Sequence, residues 1–266
     1  MGALVRLGDG ITGLAFVPPG SVGLVLSDLP SGETRAEFDH KPDLDHLQTV
    51  IWRALHPSGM CVLLAHSFRF AAEVVASCPD FFRYDLVWHK SLATGHLNAK
   101  SRPLRAHEFV LVFSREHGTY RPQMIQGASP IHANRRRADA VTSQNYGPVS
   151  KETAARAGAT DRFPTSVLEF ASVGTTSPER VHPQQKPVPL LRWLIETYSS
   201  PGDLVCDPYA GSGSTGIAAE SCGRRFIGWD TSPRFGTSPW AVAENQAQNR
   251  AEVRHSSCLT DTSPSG

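Results

Sequence analysis

The sequence predicts an α/β protein with a mostly parallel central sheet and helices on both faces. Three observations predict it. Short apolar runs alternate with helical segments through the first 115 residues. A glycine-rich loop from Gly211 to Gly216 lies between an apolar strand and a helix. The chain of 266 residues is 40% hydrophobic and 19% charged, which allows one sizeable core with room for an inserted region.

The elements follow in order. Val22 to Leu26 is a short apolar run suited to a buried strand. Leu44 to Ala54 has helical spacing through Leu44, Leu47 and Ile51. His56-Pro57-Ser58-Gly59 reads as a turn, and Met60 to Ala65 as the next strand. Phe68 to Ser77 reads as a helix, then Tyr84 to Trp88 and Glu108 to Phe113 as strands. From Ser114 to Pro183 the chain is rich in Gly, Ser, Thr, Pro, Asn and Arg, with few apolar clusters. Regular structure returns with an amphipathic helix at Pro189 to Tyr198, a Pro201-Gly202 turn and a Leu204-Val205-Cys206 strand. A helix at Ile217 to Ser221 and a strand from Arg225 to Gly228, ending at Trp229-Asp230, complete the unit. One more helix and a polar end are expected after about Gly236.

No apolar run approaches the roughly 18 residues of a membrane span, and Met1 to Gly10 lacks the pattern of a signal peptide. A soluble, cytoplasmic protein is expected, with no membrane partner. The five cysteines show no CxxC pairing, so free thiols are expected and no metal site. Net charge is +1, but Arg83 to Arg162 holds 13 Lys or Arg against 6 Asp or Glu. That middle carries +7 and the remainder −6, a distribution suited either to a polyanion-binding face or to a plain solvated surface.

The loop Gly211-Ser212-Gly213-Ser214-Thr215-Gly216 has G-x-G-x-x-G form, and Asp230 follows Gly211 by 19 positions. The glycines allow a tight turn and close approach to a ligand, and the carboxylate at the next strand's end is placed to hold ribose hydroxyls. A dinucleotide would satisfy the same spacing. Asp207, however, stands at the strand's end before the glycines, where a pyrophosphate gains nothing from negative charge. It suits a cationic amino group, such as that of the methionine moiety of S-adenosylmethionine.

The run Asp207-Pro208-Tyr209-Ala210-Gly211-Ser212-Gly213-Ser214-Thr215-Gly216, preceded by His182-Pro183-Gln184-Gln185-Lys186-Pro187, resembles the amino-group (N6-adenine and N4-cytosine) DNA methyltransferases. It is closest to the group whose catalytic motif precedes the cofactor motif. Leu7-Gly8-Asp9, Trp52 to Gly59, Trp88-His89-Lys90 and Arg105-Ala106-His107-Glu108 fit further elements in the same order. The resemblance covers about residues 4–114 and 181–232. It implies a Rossmann-like S-adenosylmethionine-dependent fold of permuted motif order. Residues 1–114 would form the catalytic half, 115–180 a target-recognition insertion, 181–235 the cofactor half and 236–266 a C-terminal helix and tail. It implies S-adenosylmethionine held by Asp9, Lys186, Asp207, Pro208, Tyr209, Gly211, Gly213, Thr215 and Asp230. The implied macromolecular partner is double-stranded DNA, touched by Lys90, Arg105, Arg135, Arg136 and Arg137, with Asn98 as a further candidate; His107 is read as a residue of the site wall. A homodimer is left open.

The same resemblance places the catalytic motif at Asp28-Leu29-Pro30-Ser31, where relatives carry D-P-P-Y or S-P-P-Y. Asp28 and the carbonyl of residue 29 would accept hydrogen bonds from the target amine and direct its lone pair at the methyl group. Leu29 stands for a Pro and Ser31 for an aromatic residue. Loss of that ring removes a stack worth about 1–3 kcal/mol on the flipped base. Phe38, Trp88 and His89 are the candidate replacements. Asp at the first position favours adenine N6 over cytosine N4. The competing readings are a DNA-binding member with a weak or silent site, a methylase of RNA or protein glutamine, and a dehydrogenase. His107 and Glu108 are adjacent on a strand and face opposite ways, so they cannot share one ligand.

Overall fold

The computed structural model describes residues 4–36, 39–127, 142–143, 147–148, 159–174 and 185–233. Strand β2 (Val22–Asp28) shows how the sheet is organised. Val25 packs in one apolar cluster, and its neighbours Leu24 and Leu26 pack in the other. That is the two-residue alternation of a strand buried on both faces. Leu24, Val25 and Leu26 are all fully buried, each worth about 1.5–3 kcal/mol in burial.

Eight strands form the sheet: β1 (Leu4–Leu7), β2, β3 (Leu55–Ala65), β4 (Phe82–Thr94), β5 (Arg105–Phe113), β6 (Val167–Phe170), β7 (Leu204–Asp207) and β8 (Arg225–Asp230). Their spatial order is β1-β8-β7-β2-β3-β5-β4-β6. Only β5 runs against its neighbours; every other pairing is parallel. The expected turn at His56 to Gly59 lies within β3 as an excursion: Val22 pairs with Leu55 and Leu24 with Met60. The sheet also takes up Val167–Phe170, inside the stretch expected to be insertion. Trp88 donates its indole N–H to the Phe170 carbonyl at 2.9 Å and fastens that edge.

Helices α1 (Gly10–Ala15), α2 (Leu44–Ala54) and α3 (Phe68–Ser77) contribute to one cluster, and α4 (Val188–Tyr198) and α5 (Ser214–Ser221) to the other. α2 begins where the Asp43 carboxylate accepts from His46 N at 3.1 Å, and it buries Leu47, Val50, Ile51 and Ala54, the inward stripe of the heptad. Ser67 caps α3 through Phe70 N at 3.1 Å. α5 starts at Ser214, three residues before the sequence pattern suggested, because Gly213 (φ 76°) turns the chain directly into the helix.

A second compact unit comprises residues 122–165. Its described parts are two short antiparallel ladders, Ile125–Gln126 with Asp161–Arg162 and Thr142–Ser143 with Gly147–Pro148. The tail after residue 233 lies outside the described residues. No helix among the described residues is long and apolar enough to cross a membrane.

Candidate active site

Because β2, β7 and β8 are parallel, their C-terminal ends share one edge. Each ends in a carboxylate: Asp28, Asp207 and Asp230. Together with Asp9, Tyr209 and Lys186 they line a cavity of about 650 Å³.

Asp207 is 2% exposed. It accepts hydrogen bonds from Ser27 Oγ (2.7 Å), Thr215 Oγ1 (2.7 Å) and Tyr209 N (3.0 Å). Burial pushes its carboxyl up to about 6, with Asp28 adding to the rise, and these three donors pull against it. A carboxylate offers about four acceptor positions, so one is left. A buried anion with no cation among its hydrogen-bond donors fits the amino group of S-adenosylmethionine. Asp230 Oδ2 accepts from Gly211 N at 3.1 Å and Oδ1 from Ser232 N at 2.7 Å, and burial raises its pKa. The end of β8 thereby ties down the glycine loop, whose Gly211 (φ 50°) and Gly213 (φ 76°) occupy the left-handed region.

α1 seats on this loop. Asp9 caps the helix through Thr12 N at 2.7 Å. A Cβ on Gly10 would lie 1.8 Å from the Pro208 carbonyl oxygen, so only glycine permits the contact. Pro208 and Tyr209 line the cavity, and Thr215 meets it while holding Asp207.

The Asp28 end of this edge carries a chain of charges. Lys186 Nζ donates to Asp28 Oδ2 and lies 3.4 Å from Glu108 Oε2. Lys90 Nζ donates to Glu108 Oε1 at 3.1 Å and to Thr94 Oγ1 at 3.2 Å. Two ammonium groups thus alternate with two carboxylates, so the cluster is neutral and its desolvation is offset by short pairings. Burial raises the Asp28 carboxyl above its ordinary range and Glu108 adds to the effect, while Lys186 opposes it. Burial would raise Glu108 too, but Lys186 and Lys90 outweigh it and hold it low. Burial would lower Lys186, but Asp28 and Glu108 outweigh it and keep the ammonium charged.

Several expected residues stand differently from the sequence reading. Lys186, expected at the cofactor, does line the cavity, but its ammonium bridges Asp28 and Glu108. Lys90, expected on nucleic acid, is buried and paired, which corrects that assignment. Trp88 is buried in the core, so it is no replacement ring. His89 is exposed on the opposite face, 3.9 Å from Glu169. His107 faces that way too, edge-on to Phe109 with centroids 5.3 Å apart. Arg105 is half-buried at the start of β5. Phe38, Arg135, Arg136 and Arg137 lie outside the described residues. Glu108 was missed as a site residue. The signal was available: Glu108 shares its strand face with Val110 and Val112, as Asp28 does with Leu24 and Leu26, and all four apolar residues belong to one cluster.

The motif loop is also organised unexpectedly. Leu29 is buried and donates to the Leu64 carbonyl at 3.4 Å. Pro30 lines the cavity. Ser31 is buried as a turn residue. The Asp39 carboxylate gathers Ser31 N (2.7 Å), Gly32 N (2.9 Å) and Thr34 N (2.8 Å). Those donors outweigh burial and hold Asp39 below the usual carboxylate range. The serine therefore stands inside the loop and presents no stacking surface.

The family model described as DNA methylase (N6_N4_Mtase) matches residues 50–237. The DNA adenine methyltransferase YhdJ of Escherichia coli (strain K12) is 41% identical over 75 residues, 28% of this chain and 26% of that protein. The alignments to curated relatives span only 20–26% of those proteins' lengths. The structure of the cytosine-N4-specific PvuII DNA methyltransferase superposes with a TM-score of 0.64 at 18% identity, over 93% of this chain and 92% of that one. The M1.HpyAVI–SAM complex superposes with a TM-score of 0.57 at 18% identity, over 88% and 95%. The sheet order, the carboxylate-edged cavity and a family match over more than half its length agree: the chain belongs to the DNA methylase family.

Proposed function

We propose that the chain transfers a methyl group from S-adenosylmethionine to the exocyclic amino group of a flipped DNA base, adenine N6 in first place. The observation that carries this reading is the pairing, on one sheet edge, of the buried Asp207 with the Lys186-held Asp28. S-adenosylmethionine supplies an electrophilic methyl on a sulfonium. Asp207 would receive its amino group and Asp230 the ribose hydroxyls. Asp28, oriented by Lys186, would accept one N–H of the target amine and turn its lone pair towards the methyl. A nitrogen–carbon bond forms, the carbon–sulfur pair stays with sulfur, and the nitrogen then loses one proton. Asp28 would receive that proton, and its raised pKa suits the task. Residues 122–165 would hold the target sequence, with Arg135, Arg136 and Arg137 on phosphates.

Adenine is favoured by Asp28 and by the name of the YhdJ relative. Cytosine N4 is the alternative. Ser31 motivates a second reading, a silent or weak member, because the position that stacks the base in relatives is occupied by a buried turn residue. One experiment decides. Unmethylated DNA is incubated with a labelled methyl donor, digested, and the nucleosides are separated. Labelled N6-methyladenine supports the proposal, and N4-methylcytosine supports its alternative. No label with the wild type would leave the silent reading. Full label with Asp28→Ala would remove Asp28 from the mechanism.

A further inference from the structure

The strands β4 and β5 run well past the catalytic edge. In register, Asp28 is level with Leu64, Val110 and Leu86. β4 is parallel to β2, so it leaves the sheet on the side where Asp28 lies. It continues to Thr94, which pairs with Arg105. At ~3.3 Å per residue, the five residues from Val110 to Arg105 carry the ribbon roughly 15 Å above that level, and β4 takes up its extra residues in an irregularity between His89 and Thr94.

Its tip is built rather than loose. Gly95 takes φ 95°, a left-handed turn that favours glycine. One helical turn, His96–Asn98, follows. The Asn98 carbonyl then accepts from Ser101 N (2.9 Å), Arg102 N (3.0 Å) and Ser101 Oγ (3.0 Å). Leu97 sits on this turn and is fully exposed, at 102%. Leu92 on β4 and Leu104, just before β5, are exposed as well. From Lys90 to His107 the sequence holds Lys100, Arg102 and Arg105 and no carboxylate. The ribbon is also joined to the chemistry: Thr94 Oγ1 accepts from Lys90, Lys90 pairs with Glu108, and Glu108 reaches Lys186 and Asp28.

An exposed leucine on a segment that carries cations and no carboxylate of its own fits a polyanion with an apolar interior. Duplex DNA has that chemistry, and apolar side chains enter it between base steps. We propose that Leu97 is a wedge that enters the duplex beside the target base, while Lys100 and Arg102 hold the flanking phosphates. Leu97 is thus a positioning residue: it keeps the gap open while the base stands in the cavity. The inference rests on the DNA amino-methyltransferase reading above.

The test compares the wild type with Leu97→Ala, Leu97→Ser, Leu97→Phe and Lys100→Ala/Arg102→Ala on unmethylated duplex DNA. Leu97→Ala and Leu97→Ser are expected to slow methyl incorporation about tenfold or more, since flipping a base is costly without support. Their DNA affinity, S-adenosylmethionine affinity and melting temperature should stay within about threefold or a few degrees of the wild type. Leu97→Phe should restore the rate. The double variant should lower the slope of log affinity against log salt by about two, at about 0.9 per phosphate contact. Wild-type rates in both Leu97→Ala and Leu97→Ser would overturn the wedge, as would a full salt slope in the double variant for the phosphate role. A wild-type dimer that dissociates in Leu97→Ala would show that the tip serves self-association instead. A wild type that methylates no DNA would sink the reading beneath the inference, a result distinct from all of these.

Discussion

Asp207→Asn should stabilise the free protein while removing its hold on the methyl donor. The carboxyl is 2% exposed, and burial moves it from 3.8 to about 6. That rise corresponds to about 3 kcal/mol. The sign follows from proton linkage: a carboxyl raised in the folded state binds its proton more tightly there. Its favourable contribution is full below about pH 4 and is lost as pH rises through about 6. At pH 8 the ionised group therefore weighs against the free fold by up to about 3 kcal/mol. Asparagine keeps the shape. Its oxygen accepts from Ser27 and Tyr209, and its amide donates to Thr215 Oγ1, whose hydroxyl can rotate. Melting at pH 8 should rise by about 6–12 °C, at about 2–4 °C per kcal/mol. The gain should vanish near pH 4. Calorimetry should show S-adenosylmethionine binding weakened by about a hundredfold, the same energy read as affinity. An equal melting temperature at pH 8, a gain that persists at pH 4, or unchanged cofactor affinity would each refute the reasoning.

Glu108→Gln leaves Lys90 and Lys186 sharing one carboxylate in a buried cluster, so urea unfolding should show a loss of about 2–4 kcal/mol. The same change removes a neighbour that raises Asp28, so the acid limb of the methylation rate profile should move to lower pH. Asp39→Ala deprives three N–H groups of loop 31–34 of their acceptor, and chemical denaturation should register about 1–3 kcal/mol together with a slower methylation rate. Gly10→Ala would push a Cβ to 1.8 Å from the Pro208 carbonyl, a backbone atom that cannot swing aside. Cofactor affinity measured by calorimetry should fall, with stability lower by about 1–3 kcal/mol.

Much of the fold was legible because its signals are local. Leu44–Ala54, marked by helical spacing, and Phe68–Ser77, read as a helix, are helices at those bounds. The strand, glycine loop, helix and second strand from Leu204 to Asp230 fit into one short stretch, so spacing alone could describe it. Strand ends were less legible. β4 and β5 extend as a ribbon past the apolar core, where no burial pattern marks their length. Val167–Phe170 is too short, and too mixed in burial, to stand out from the polar stretch around it.

The sequence by itself determined the local frame of the proposed cofactor half: Asp207, Gly211, Gly213 and Asp230 stand at backbone turns and strand ends that a few consecutive residues specify. Only the tertiary structure decided the charge cluster of the proposed catalytic half. Lys186 reaches Asp28 across 158 positions of chain, and Glu108 and Lys90 arrive from two other strands. Asp39 closes the Ser31 loop through backbone N–H groups that any residue types would offer. A charge in sequence has no fixed partner. Its role is settled when folding removes water and leaves it facing whichever opposite charge the topology has brought alongside.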